Sequence, residues 1–221
     1  YAPHRRIDVQ DWDVDFYVFS FYKTYGPHYA MLYGKKEHLL KLPGNNHYFI
    51  GQEETAYKFQ PGNVNFELSW GATGIDAYLQ DLWKHHDGAA SQTEPKESSE
   101  KLIGPYGNIF ELIANHEESL SWELISFLRT KKSVKIIGPD TGDKSVRVPT
   151  ISFVVEGRDS ESIVLETDKH KIGIRFGDFY AARLIDDLGL RPQQGVVRVS
   201  MVHYNTMDEI RKLITALDGI F

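Results

Sequence analysis

Lys23 lies in the segment "YVFSFYKTYGPHY", among Tyr17, Phe19, Phe21, Tyr22 and Tyr25. Lysine is among the residues least often buried, and an unpaired ammonium in apolar surroundings is costly or gives up its proton. An amine that attacks a carbonyl must be neutral part of the time, and aromatic neighbours favour that form by disfavouring the charged one. Lys23 also stands where a strand yields to the Gly26-Pro27 turn. These residue types in this order suit an amine that forms a Schiff base. The alternative is a strand-end lysine whose stem covers apolar surface and whose head reaches water.

Two other residues carry chemistry by type. Arg198, in "GVVRVSMVHY", offers a planar fork that matches a carboxylate with two parallel hydrogen bonds. The alternative is a surface arginine paired with a nearby acid. Tyr180, in "GDFYAARL", can act as an acid/base group or hydrogen-bond donor, or simply pack. The histidines form no metal set: His85 and His86 stand at a helix end, where they suit the dipole.

The elements that position these residues are legible in part. Residues 14–20 read as a buried strand, "YAMLYG" as a second strand, and "KKEHLLKL" as a helical turn. Residues 44–62 read as loop. From Asn65 to His86 a helix is expected, with Phe66, Trp70, Ile75, Leu79 and Leu82 on one face. Residues 87–101 are polar and aperiodic, and read as a mobile surface loop. A second long helix follows, from Tyr106 to Thr130. "SVKIIG" reads as a strand and "VRVPTISFVVEG" as a strand pair. A helix capped by Asp159 or Ser160 comes next, then the strand "KIGIRFG" and a helix closed at Gly189. The strand around Arg198 precedes a closing helix, capped by Asn205 or Thr206 with Asp208 and Glu209 in its first turn. The second half alternates strand and helix, and a boundary is expected near residue 132.

With 221 residues, 41% hydrophobic and 13% aromatic, the chain can bury one large or two small cores. Its 25% charged content argues against disorder. Net charge is −6 and the basic residues are scattered, so nucleic acid is not an expected partner. No apolar run approaches 18 residues, so no membrane span is expected, and no signal-peptide pattern is visible. The absence of cysteine excludes disulfides, cysteine-ligated metals and thiol nucleophiles within these residues, and suits a cytoplasmic setting.

The lysine segment "IDVQDWDVDFYVFSFYKTYGPHYAMLYG" closely resembles that of the class V aminotransferases, above all their cysteine desulfurase and selenocysteine lyase branch. Asp8, Asp15, Phe16, Ser20, Lys23, Gly26, Pro27, Leu32 and Tyr33 match the family pattern in order; Tyr22 replaces its histidine. "FQPGNVNFELSW" resembles the family's F-x-x-G-T-x-N segment, with Asn63 at the threonine position. "GVVRVSMVHYNTMDEIRKLITAL" resembles its R-x-S-x-x-x-Y-N-T segment, through Arg198, Ser200, Tyr204, Asn205 and Thr206.

The resemblance implies an α/β fold: the C-terminal part of the large domain of a fold-type I, pyridoxal 5′-phosphate (PLP)-dependent transferase over 1–131, and an α+β small domain over 132–221. It implies that Lys23 forms the Schiff base with PLP and that Ser20 hydrogen-bonds its phosphate. Asn63 would reach the phosphate of a neighbouring subunit, in a homodimer with shared active sites. Arg198 would bind the carboxylate of an amino-acid substrate. In the family's desulfurases a cysteine takes up sulfur as a persulfide; Tyr180 stands at that position. A phenol cannot form a persulfide, so a lyase or aminotransferase is expected instead. Family members are about twice as long, and their first half supplies the remaining cofactor contacts. The 221-residue piece by itself is therefore expected to be inactive. The alternative is a truncated or degenerate member that keeps the fold for a structural or dimer-contact role.

Overall fold

The computed structural model describes residues 1–60, 62–87 and 100–221, with side chains described for 1–60, 62–86 and 108–221. The chain divides into two compact units, Tyr1–Phe110 and Glu111–Phe221. The division falls inside a helix.

In the first unit, β1 (Phe16–Ser20) and β2 (Ala30–Gly34) form a two-stranded antiparallel sheet, with Phe16 opposite Gly34 and Ser20 opposite Ala30. The connection begins with a 3₁₀ turn over Phe21–Lys23. It is wound tightly: the Thr24 and Gly26 N–H groups both donate to the Phe21 carbonyl, at 2.7 and 2.9 Å. A side chain at Gly26 would be crowded, because a Cβ would come within 2.7 Å of the Ile75 Cδ1 and 3.0 Å of the Phe21 Cβ. Helix α1 (Lys36–Lys41) starts where β2 ends.

The stretch expected to be loop contains a short helix, α2 (Thr55–Phe59). Its Lys58 is 4% exposed and donates to the carbonyls of Leu39 and Gln52 at 2.6 and 3.0 Å. That long-range anchoring substitutes for any local helix signal. Helix α3 (Phe66–Asp87) is capped by Asn65, whose Oδ1 accepts from the Leu68 N–H. Of its expected apolar face, Leu79 is buried, while Phe66 and Trp70 are exposed at 66% and 78%. The middle of the expected polar loop, 88–99, lies outside the described residues. Helix α4 (Glu100–Thr130) follows.

The second unit is a four-stranded sheet in the order β3-β4-β6-β5, antiparallel throughout. Its strands are β3 (Val134–Ile137), β4 (Thr150–Val155), β5 (Arg175–Gly177) and β6 (Val196–Ser200). The residues expected to form a strand pair supply one strand, β4. Pro149 has no N–H to give a ladder, and the residues before it are tied in turns by Asp143 and by Arg147, which donates to the Pro139 carbonyl.

Pleating sends alternate side chains to opposite faces. Ile151, Phe153, Val155, Val197 and Val199 point to one face and meet Leu120, Leu124, Ile125 and Leu128 of α4. Two further helices, α5 (Ser160–Asp168) and α7 (Met207–Asp218), complete that core with Ile163, Ile210, Leu213 and Leu217. The second half of α4 thus belongs to this unit by its packing. Val154 and Val196 point to the other face, against Ile185 of α6 (Ala182–Asp187) and Leu190.

The helix starts follow local chemistry. Asp159 caps α5 by accepting from the Ser162 N–H at 2.8 Å. Thr206 and Glu209 form a reciprocal capping box on α7. Among the described residues, no helix is long and apolar enough to cross a membrane.

Candidate active site

Lys23 is the last residue of the 3₁₀ turn at the end of β1. It is exposed, which departs from the expectation that the surrounding rings enclose it. The physical reason is the 3₁₀ turn, which takes Lys23 out of the strand's alternation. Tyr17, Phe19 and Phe21 are spaced by two and engage one another, extending to Trp12 at one end and Tyr29 at the other, with ring centroids 5.0–6.3 Å apart. Tyr22 alone lies under the amine, 5.5 Å from ring centroid to Nζ. Lys23 enters none of the ion pairs among the described residues.

Lys23 and Ser20 line one cleft of about 340 Å³, whose other walls include Tyr1, Pro3, Tyr17 and Phe19. Ser20 precedes the turn, yet its hydroxyl does not cap it. An amine, an uncommitted hydroxyl and aromatic walls therefore converge on one small space. This donor set fits a ring compound bearing a carbonyl and a phosphate.

The two acids of the lysine motif serve the scaffold. Asp15 accepts from His38 Nε2 at 3.0 Å and pairs with Lys35, tying α1 to the start of β1. Those bonds, His38 first, hold its carboxyl below the usual carboxylate range. Asp8 accepts from the Asp11 N–H at 3.0 Å and from Arg6, and is lowered likewise, chiefly by the Asp11 N–H.

Asn63 is exposed and does not line the Lys23 cleft. The helix cap it might have provided is supplied by Asn65, so its amide is not committed to that task.

Arg198 and Tyr180 belong to the second unit. Arg198 lies on β6, opposite Ser152 of β4 and Arg175 of β5, on the face that carries Val196 and not on the face covered by α4, α5 and α7. Among the described residues it has no acid partner. Its guanidinium carbon sits 3.7 Å from the centroid of the Phe179 ring, and its Nε is buried with no hydrogen-bond partner. Burial lowers its pKa from the ordinary guanidinium value.

Tyr180 does not pack: its side chain is fully exposed. It follows Phe179 in a turn where both residues adopt left-handed backbone, φ 50° and 66°. Such conformations cost roughly 1–2 kcal/mol per non-glycine residue. Asp178 holds the turn, its Oδ1 accepting from the Tyr180 N–H at 3.0 Å and its carbonyl from the Ala181 N–H at 2.8 Å.

Phe179 and Asp178 carry no distinctive sequence signal beyond an acidic residue at the start of a turn. Tyr1 and Pro3 likewise enter the cleft through long-range folding: the Pro3 carbonyl accepts from the Tyr25 hydroxyl at 3.3 Å.

The family model for aminotransferase class V matches residues 1–83 and 108–213. An aminotransferase-like protein of Gibberella zeae, FGM3, is 37% identical over 222 residues, which cover 100% of this chain and 49% of that protein. The cysteine desulfurase-like protein ustD of Aspergillus flavus is 34% identical, over 99% of this chain and 45% of its own length. In structure, the chain is similar to the cysteine desulfurase CsdA of Escherichia coli in its S-sulfonic acid form. The TM-score is 0.69 at 24% identity, over 99% of this chain and 49% of that one. The chain thus spans about half the length of the curated relatives it matches.

Proposed function

The chain belongs to the class V aminotransferase family, and from that premise we propose that it supplies the cofactor lysine and the carboxylate anchor of a PLP-dependent enzyme acting on an amino acid. The observation that carries the reading is the placement of Lys23. Its exposed amine, free of acid partners among the described residues, shares one cleft with the Ser20 hydroxyl.

In this reading Lys23 and Ser20 hold the cofactor, Lys23 by its amine and Ser20 by donating to the phosphate. PLP, when bound, supplies an electron sink for charge developing at the substrate Cα. Arg198 receives the substrate carboxylate with two in-plane hydrogen bonds. Among the described residues Arg198 has no acid partner and is only partly buried, which leaves its donors uncommitted. Lys23 Nζ takes the proton from Cα and returns it, a role that fixed geometry makes efficient. Asn63, exposed and outside the Lys23 cleft, serves a neighbouring subunit in a homodimer.

The reaction is elimination or transamination, not desulfuration through a persulfide. Tyr180 occupies the turn where the family's desulfurases carry cysteine, and these 221 residues contain none. The test is a product panel on the full-length protein with PLP, offered L-cysteine, L-cystine and L-alanine among other amino acids. Pyruvate with ammonia, or a 2-oxo acid, is the expected product. Alanine released from cysteine together with a protein-bound persulfide would overturn this assignment.

A further inference from the structure

We infer that Phe179 is a positioning residue for Arg198, and that its ring sets the preference of the site for a planar carboxylate. The inference rests on the reading of Arg198 as the carboxylate anchor.

The argument starts from the guanidinium. Its hydrogen-bond donors all lie in one plane, and its two faces carry none. A protein carboxylate that oriented Arg198 would consume those donors. The Phe179 ring, 3.7 Å away, contacts a face instead and attracts the cation through its quadrupole. The group is thereby held without consuming its donors.

The ring is itself held. Phe179 packs against the cluster of Val154, Ile185, Leu190 and Val196, so it is wedged between that cluster and the arginine. Its backbone is left-handed, as is that of Tyr180. The turn that maintains this is clamped by Asp178, which also lies 3.6 Å from the Arg191 guanidinium. A conformation costly for a bulky residue, fixed from several sides, is the mark of a side chain whose direction matters. Because Phe179 touches Arg198 and not the reacting atoms, it acts through the arginine.

The test uses the full-length protein with PLP and two readouts. The first is chemical: 2,3-butanedione modification of Arg198, followed by peptide mass spectrometry, with propionate as the protecting anion. The second is kinetic: kcat and KM for an amino-acid substrate and for its carboxamide. In Phe179→Leu, which still fills the apolar cluster, the half-protecting propionate concentration should rise about 5- to 30-fold. The preference for carboxylate over carboxamide should fall by a similar factor, mainly in KM. Phe179→Tyr, which keeps the ring, should retain both properties. Phe179→Met serves in place of the leucine variant if thermal unfolding shows the latter to be misfolded.

Wild-type protection and preference in the leucine variant would overturn the inference. Arg198→Ala separates this from failure of the underlying reading. If the preference for carboxylate is lost in Arg198→Ala while both properties persist in Phe179→Leu, only the role of Phe179 falls. If Arg198→Ala keeps the wild-type preference for carboxylate, Arg198 is not the anchor.

Discussion

The two units surround their chemistry in opposite ways. In the first, the buried hydrophobic residues among those described are Ala2, Leu79 and Ile109, while Val18, Leu32, Phe66 and Trp70 are exposed. Lys23 stands at the edge of a two-stranded sheet, over one partly exposed tyrosine. In the second, Phe153, Leu124, Ile163, Val197 and Leu217 are fully enclosed, and Arg198 is fixed on an inner strand by an aromatic face. A two-stranded sheet is marginal in isolation, whereas a sheet covered by helices is a rigid frame. Within these residues, Lys23 lies on a thin two-stranded sheet, and Arg198 on a sheet backed by helices.

The largest expected effect breaks the comparison at its accessible end. In the full-length protein, Lys23→Ala should remove the visible absorbance of lysine-bound PLP and lower turnover about 10²- to 10⁴-fold. Unchanged absorbance and turnover would make Lys23 an ordinary strand-end lysine. At the rigid end, Phe153→Ala removes a side chain enclosed by the second unit's core. It should cost about 3–5 kcal/mol of unfolding free energy in denaturant titration. A loss below 1 kcal/mol would mean that the second unit is not the firmer frame.

The smallest expected effect sharpens the picture at the α7 cap. Thr206→Ala should lower stability by about 1 kcal/mol. Glu209 in the same cap has its pKa held below the ordinary glutamate value, chiefly by the Thr206 N–H. A carboxyl depressed on folding stabilises above its unfolded pKa, and that contribution is lost as pH falls through the lower folded value. Stability measured down through pH 4.5 should therefore fall less steeply in Glu209→Gln than in wild type. Parallel profiles would show that the cap carries no such charge.

Much of this was legible because it is local. Strand β1 falls within the apolar run at 14–20, and the caps of α5 and α7 rest on Asp159 and Thr206, each a few positions from the N–H groups they satisfy. The family pattern around Lys23 and Arg198 is likewise written in the chain. Helical spacing placed Phe66 and Trp70 on one face with Leu79, but spacing says which residues share a face, not whether anything covers it. Helix α2 escaped notice because Lys58 secures it to the Leu39 carbonyl, well away in sequence. Tyr180 had two readings by residue type, and the left-handed turn that exposes it decided against packing.

The amino-acid sequence by itself determined the family, the lysine at a strand's end before a Gly-Pro turn, the helix caps, and the absence of cysteine from these 221 residues. Only the tertiary structure decided that Lys23 faces solvent, that Arg198 takes the sheet face away from the main core, and that Phe179 lies flat against it. The division follows from range. Caps, turns and strand periods are settled among residues a few positions apart, whereas burial and ring stacking depend on surfaces brought together from distant stretches of the chain.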